Sequence, residues 1–127
     1  MNRRGMLRGG VVAVVAAGAL AAVPATTAHA AGSVSCSWTA GAYGCSKSET
    51  VTPNFDNSIL LGASTNHRAH PVTCRAIDAS TAVEVGRITS VAPHIMETTR
   101  IYGLYGRYFL SCIGDRQSSG GGGINGY

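Results

Sequence analysis

The stretch RIYGLYGRYFLSCI, residues 100–113, constrains the fold more than any other part of the chain. Large apolar residues recur at every second position, which is the spacing of a β-strand with one buried face. We expect the buried face to be the one that carries the cysteine, with Tyr102, Leu104, Tyr108, Leu110 and Cys112. The sequence therefore predicts one long strand over Arg100–Ile113, softened only by its two glycines.

The opposite face of this strand would carry Tyr105, Arg107 and Phe109. Tyrosine and arginine are favoured in binding hot spots, so this stripe is a candidate recognition surface. In a two-sheet protein the same stripe could instead cover a second sheet, or lie under the loop at residues 92–99. The residues alone leave both interpretations open.

Five further runs between turn residues have strand character, and no long amphipathic helix pattern is present. The runs are Ser33–Thr39, Glu49–Thr52, Ser58–Ala63, Val72–Ile77 and Ala82–Val91. In the last run the apolar alternation shifts phase across Gly86, which predicts a β-bulge. The length supports one all-β domain.

The first thirty residues have the pattern of an export signal. Three arginines precede the apolar run Val11–Val23, and Ala28-His29-Ala30 fits a cleavage site. Arg3-Arg4 is consistent with the twin-arginine route or with an ordinary secretory signal. We predict a cleaved signal over 1–30, a secreted extracellular domain over 31–116, and no membrane association after cleavage. The Ser/Gly-rich residues 117–127 are predicted to be a flexible tail.

The charge of the mature protein differs from that of the whole chain, which is +4. Without Arg3, Arg4 and Arg8, seven of the ten basic residues remain against six acidic residues, which leaves +1. No basic stripe is present, so we expect no nucleic-acid partner.

All four cysteines follow the predicted signal: Cys36, Cys45, Cys74 and Cys112. An even number in a short secreted chain indicates two disulfides rather than a zinc site, and no C-x-x-C pair is present. Four cysteines allow three connectivities, of which neighbour pairing is the simplest.

Three strings resemble a known family in their order and in their placement against the cysteines. They are Glu49-Thr50-Val51-Thr52, Gly86-Arg87-Ile88-Thr89-Ser90-Val91, and Arg107-Tyr108 followed by Cys112 and Ile113. Trp38 also lies between the first two cysteines. The region Ser35–Ile113 resembles the small secreted α-amylase inhibitors of actinomycetes, the tendamistat type.

The resemblance implies a small six-stranded antiparallel β-sandwich or barrel with disulfides Cys36–Cys45 and Cys74–Cys112. It also implies a rigid loop that enters the active cleft of an α-amylase. The family's Trp-Arg-Tyr triplet corresponds to Trp38-Thr39-Ala40 here, so only the tryptophan is kept. We take Trp38, Thr39 and Tyr43 as candidate binding residues of the turn that ends at Gly44.

Catalytic patterns are weak. His67 and His70 could share a metal on a helix, but no carboxylate lies nearby in sequence and the surroundings indicate a loop. Two carboxylate pairs, Asp56 with Asp78 and Glu84 with Glu97, would need the fold to bring them together, and His94 has no implied partner. We expect no enzyme activity, no metal and no cofactor.

The sequence therefore predicts a monomeric secreted inhibitor of α-amylase or of a related secreted glycoside hydrolase. The alternative is a secreted β-sandwich module that binds a glycan or a cell-surface partner without inhibiting an enzyme. A small hydrolase that uses a histidine is a third class.

Overall fold

The computed structural model describes residues Gly32–Tyr127, so the predicted export signal lies outside the described residues. This part of the chain is all-β, as predicted, and it contains eight strands and no helix. The strands are β1 (Ser33–Trp38), β2 (Gly44–Ser46), β3 (Ile59–Thr65), β4 (Val72–Asp78), β5 (Glu84–Ser90), β6 (Glu97–Ile101), β7 (Tyr108–Ile113) and β8 (Gly120–Asn125). Across residues 32–127 there is accordingly no helix long and apolar enough for a membrane span.

The strands form two four-stranded antiparallel sheets. The first sheet has the order β1-β8-β3-β6, and the second has the order β2-β7-β4-β5. Only β4 and β5 are both consecutive in the chain and neighbours in a sheet. Most connections therefore carry the chain from one sheet to the other.

The prediction of six strands is wrong, and one reason is that residues 100–113 do not form one strand. β6 ends at Ile101 in the first sheet and β7 begins at Tyr108 in the second sheet. Gly103 adopts a left-handed φ of 76°, which interrupts an extended chain and favours glycine. The Leu104 amide then donates to the Asn57 carbonyl at 2.9 Å, which holds the segment as a loop.

Two shorter segments also differ from the prediction. Glu49–Thr52 is not a strand but contributes one isolated bridge, between Val51 and Tyr108. The strand β2 was not predicted, since its residues were assigned to the end of a turn. They form a strand by pairing with β7, where Cys45 lies opposite Cys112. The predicted bulge is confirmed, since the β4–β5 register shifts where Ala76 pairs with Gly86 and Ile77 pairs with Glu84.

The prediction that residues 117–127 are a flexible tail, outside a domain that ends at 116, is also wrong. Residues Gly120–Asn125 form β8, which is hydrogen-bonded between β1 and β3 along its whole length. Glycine is required here because the neighbouring groups approach the backbone closely. A Cβ added at Gly122 would collide with the Cys74 and Cys112 sulfurs and with the Gly62 carbonyl.

The core is one cluster of buried side chains from both sheets. Its fully buried members include Ile59 and Leu61 of β3, Val72 of β4, Leu110 of β7 and Ile124 of β8. Along β4 and β7 buried and partly exposed residues alternate, which is the period expected of strands with one inward face.

Both predicted disulfides are confirmed. Cys36–Cys45 links β1 to β2 and therefore joins the two sheets. Cys74–Cys112 joins directly paired residues of β4 and β7. Because Cys45 and Cys74 both pair with Cys112, the two bridges lie side by side, and Gly122 of β8 lies against the Cys74 and Cys112 sulfurs.

Candidate functional site

The antiparallel registers place successive connections at alternating ends of the sheets. One end carries the connections 47–58, 79–83 and 102–107 together with the C-terminal residues. We call it the aromatic end. The other end carries the connections 39–43, 66–71, 91–96 and 114–119, and we call it the histidine end.

The aromatic end exposes four large rings: one on the connection 47–58, one at the C-terminus and two on the connection 102–107. Phe55 is 94% exposed, Tyr105 81%, Tyr127 70% and Tyr102 67%. Isolated exposed apolar residues are ordinary, but several on neighbouring loops are typical of an interaction surface.

Hydrogen bonds between the loops hold this surface in place. The Ala79 amide donates to the Arg107 carbonyl at 2.8 Å, which ties the connection 79–83 to the connection 102–107. The buried Tyr108 hydroxyl accepts from the Tyr105 and Gly106 amides at 3.1 and 3.0 Å. These hydrogen bonds fix the backbone at Tyr105, so the exposed Tyr105 ring projects from an ordered loop.

A cavity of about 430 Å³ opens on this end, and Thr52, Ser80, Tyr105 and Arg107 are among its lining residues. On its 79–83 side, Asp78 accepts hydrogen bonds from the Ser80 hydroxyl and amide and from the Thr81 amide. The Ser80 hydroxyl bond is the main cause that lowers the pKa of Asp78. The side chain of Asp78 therefore stabilises the turn that follows β4.

The predicted stripe of Tyr105, Arg107 and Phe109 is only partly brought together. Tyr105 and Arg107 are exposed on the loop and share the cavity. Phe109 lies instead on β7, half-buried and paired with Ile77. The three residues do not alternate along one strand face, because β7 begins only at Tyr108.

Trp38 is buried in the core and not exposed on the turn, which corrects its predicted placement. It is 7% exposed, belongs to the core, and donates from Nε1 to the Ser118 carbonyl at 3.1 Å. Burial of the ring and satisfaction of its N–H are what a core tryptophan needs. Thr39 is exposed, and Tyr43 is 52% exposed with a left-handed φ of 66°.

The loop that carries Tyr43 is braced by the connection 114–119. The Arg116 Nε donates to the Tyr43 hydroxyl at 3.2 Å, and the Gly41 amide donates to the Arg116 carbonyl at 2.8 Å. The Gly114 amide donates to the Tyr43 carbonyl at 2.8 Å. Tyr43 is therefore presented beside an arginine that is remote in sequence, a pairing that the sequence alone did not reveal.

The histidine end also contains a contact that the sequence did not reveal. His70 Nδ1 lies 2.7 Å from Asp115 Oδ2, across a separation of 45 residues. This hydrogen bond is the main cause that lowers the pKa of Asp115. The ring of His67 stands nearly perpendicular to that of His70, with centroids 6.2 Å apart.

Glu84 and Glu97, which could have formed a carboxylate pair only if the fold brought them together, have separate partners. Glu84 accepts two hydrogen bonds from Arg87, at 2.7 and 2.9 Å, and the bond to Arg87 is the main cause that lowers the Glu84 pKa. Glu97 accepts from the Val91 amide at 3.2 Å. These contacts stabilise the ends of β5 and β6 and give neither carboxylate an acid–base partner.

No family model and no curated protein matches the chain. Among solved structures it is similar to a protein of Bacillus endospore appendages, described as a novel family of disulfide-linked pili. The TM-score is 0.43 and the sequence identity 17%, over 74% of this chain and 81% of that chain.

Proposed function

We propose that the protein is a secreted, monomeric and non-catalytic binding module, a two-sheet β-sandwich that presents its aromatic end to a glycan. The observation that supports this most is the exposure of Phe55, Tyr102, Tyr105 and Tyr127 on one end of the domain. The predicted export signal and the two disulfides fit an extracellular setting.

The chemistry of the aromatic end matches that of a sugar chain. A pyranose ring has an apolar face of C–H groups and a rim of hydroxyls. The Tyr102 and Tyr105 rings offer flat apolar faces with a hydroxyl at the tip, and tyrosine loses little conformational entropy on binding. Arg107 and Ser80 add hydrogen-bonding groups at the cavity beside Tyr105.

The test is depletion of the purified protein from solution by insoluble polysaccharides such as starch, cellulose, chitin and peptidoglycan. We expect one of them to bind the protein, and the Tyr102→Ala/Tyr105→Ala double variant to lose most of the affinity. A central aromatic anchor is worth about 2 kcal/mol, or roughly thirty-fold in affinity.

Tyr43→Ala is the matched control, since it removes an exposed tyrosine from the histidine end. It should leave polysaccharide binding unchanged. Equal losses in Tyr43→Ala and in the double variant, or no binding to any polysaccharide, would refute the aromatic end as the binding surface.

The second candidate is the α-amylase inhibitor that the family resemblance implies. Burial of Trp38 removes the one residue kept from the family's triplet. What favours the candidate is the pairing of Tyr43 with Arg116 next to the Cys36–Cys45 disulfide. Such a pair could bring an aromatic ring and a guanidinium to the acidic cleft of a glycoside hydrolase.

An inhibition assay separates the two candidates. If the protein is an inhibitor, it lowers the rate of starch hydrolysis by α-amylase at stoichiometric concentrations, and Arg116→Ala weakens that inhibition. If the glycan proposal holds, amylase activity is unaffected, and neither Arg116→Ala nor Tyr43→Ala changes binding to the polysaccharide.

A further inference from the structure

Both histidines of the connection 66–71 are held by one buried residue, Thr65, which is the last residue of β3. Its hydroxyl lies 2.7 Å from the His70 carbonyl and 3.1 Å from the His67 carbonyl, and it accepts from the His67 amide at 3.2 Å. The His70 amide donates to the His67 carbonyl at 3.0 Å. The backbone of this tight turn is therefore fixed, while the His67 side chain is exposed and the His70 side chain is partly exposed.

Asp115 sets which nitrogen of His70 carries the proton. An ionised carboxylate only accepts hydrogen bonds, so in the 2.7 Å contact His70 Nδ1 is the donor. In the neutral ring the lone pair is then on Nε2. A carboxylate that orients an imidazole in this way is the usual partner of a metal-binding histidine.

The His67 ring is close enough to share an ion with His70. Two imidazoles on one tetrahedral zinc, with Zn–N distances of 2.0–2.1 Å, have ring centres about 5 Å apart. The two rings here are 6.2 Å apart. His67 is exposed, so a rotation of its side chain closes a gap of about 1 Å without moving the turn.

We propose that His67 and His70 form a binding site for a divalent transition-metal ion that prefers imidazole ligands, such as Zn²⁺, with Asp115 as the residue that positions His70. Solvent completes the coordination, because the His67 side chain is exposed and the His70 side chain is 27% exposed. The site lies at the opposite end of the sheets from the proposed glycan surface and does not depend on it.

The experiment is calorimetric titration of the purified, disulfide-intact protein with Zn²⁺ in a non-coordinating buffer at neutral pH. We expect one ion per chain, together with shifts of the His67 and His70 imidazole resonances in NMR spectra. His67→Ala and His70→Ala should each remove the binding. Thermal unfolding of each variant without metal checks that the fold is retained.

Asp115→Asn tests the positioning role. Its carbonyl oxygen can keep the hydrogen bond from the Gln117 amide, which turns the NH₂ group toward His70 Nδ1. That donor favours the tautomer with the proton on Nε2, so Zn²⁺ affinity should fall about ten- to a hundred-fold.

His94→Asn is the matched control. The His94 amide also bonds to Thr65, at the Thr65 carbonyl, but the proposed pair does not include its ring. Asparagine tolerates the left-handed φ of 64° at this position. Unchanged affinity in His94→Asn supports the assignment. Absence of Zn²⁺ binding by the native protein, or binding that survives the His67→Ala/His70→Ala double change, overturns it.

Discussion

Replacing Gly122 by alanine tests the position of β8 at the centre of the first sheet. Gly122 is buried, and an added Cβ would collide with the sulfurs of Cys74 and Cys112 and with the Gly62 carbonyl. None of these atoms is the free end of a flexible side chain, because the sulfurs are bonded to each other and the oxygen belongs to the neighbouring strand. The extra methyl group can be accommodated only if the backbone moves.

Overpacking of this kind costs about 1–3 kcal/mol, and the rigid neighbours place Gly122→Ala toward the upper part of that range. For a domain of this size, each 1 kcal/mol lowers the melting temperature by about 4–8 °C. We therefore expect Gly122→Ala to unfold at a clearly lower urea concentration and roughly 10–20 °C earlier than the native protein.

Gly123→Ala is the matched control in the same strand. The nearest atoms to its added Cβ are the Val34 carbonyl at 3.5 Å and the Ser35 Cβ at 3.8 Å, which are ordinary contacts. Loss of glycine flexibility in the unfolded chain should make this variant neutral or more stable by about 0.4–1 kcal/mol. Equal stability of the two variants in urea unfolding would refute the packing of β8 over the disulfide.

Three further predictions concern the core, the bridge between the sheets and acid stability. Trp38→Ala should cost about 3–5 kcal/mol in urea unfolding, because the ring is part of the core; a loss below 1 kcal/mol would contradict its burial. Removing the Cys36–Cys45 bridge with two serines should cost about 2.6 kcal/mol by the chain-entropy relation for a sequence separation of 9, and an unchanged urea midpoint would contradict this. The lowered pKa of Asp78, caused mainly by the Ser80 hydroxyl, means that its contribution is present above the ordinary pKa of 3.8 and is lost as pH falls through the lower folded value. Asp78→Ala should therefore reduce the loss of stability between pH 5 and pH 2 in thermal unfolding, and an acid profile identical to the native one would contradict this assignment.

The parts of the fold that carry apolar alternation could be predicted from the sequence. The bounds of β1, β3, β4 and β5 lie within about two residues of their predicted positions, and the bulge beside Gly86 follows from the phase shift. These strands have one inward face, so their period is visible in the residue types.

The strand β8 could not be predicted, because its signal lies in the surroundings and not in its side chains. A run of glycines has no hydrophobic period, and the same composition is typical of a linker. What its surroundings require is a glycine, because the Cys74–Cys112 disulfide and the Gly62 carbonyl leave no room for a Cβ at Gly122. The split of residues 100–113 into two strands was also missed. The alternation of apolar residues continues across the connecting loop, and the break in the strand comes from the positive φ of Gly103, which the alternation does not reveal.

The candidate sites, like β8, could be predicted from the sequence only in part. Tyr105 and Arg107 of the predicted recognition stripe are exposed, but they lie on a loop, and Phe109 is half-buried on β7. The contacts His70–Asp115 and Tyr43–Arg116 join residues 45 and 73 positions apart, and no local pattern relates them. Long-range pairs of this kind become visible only when the ends of the sheets are assembled.

The most direct test of the glycan proposal is an NMR titration of the protein with soluble oligosaccharides cut from the polysaccharide that binds best. We predict that the amide shifts concentrate in the connections 47–58, 79–83 and 102–107 and at the C-terminal Tyr127, with residues 39–43 and 114–119 unaffected. Shifts confined to Tyr43, Arg116 and their neighbours, or no shifts with any oligosaccharide, would contradict the assignment of the aromatic end as the binding surface.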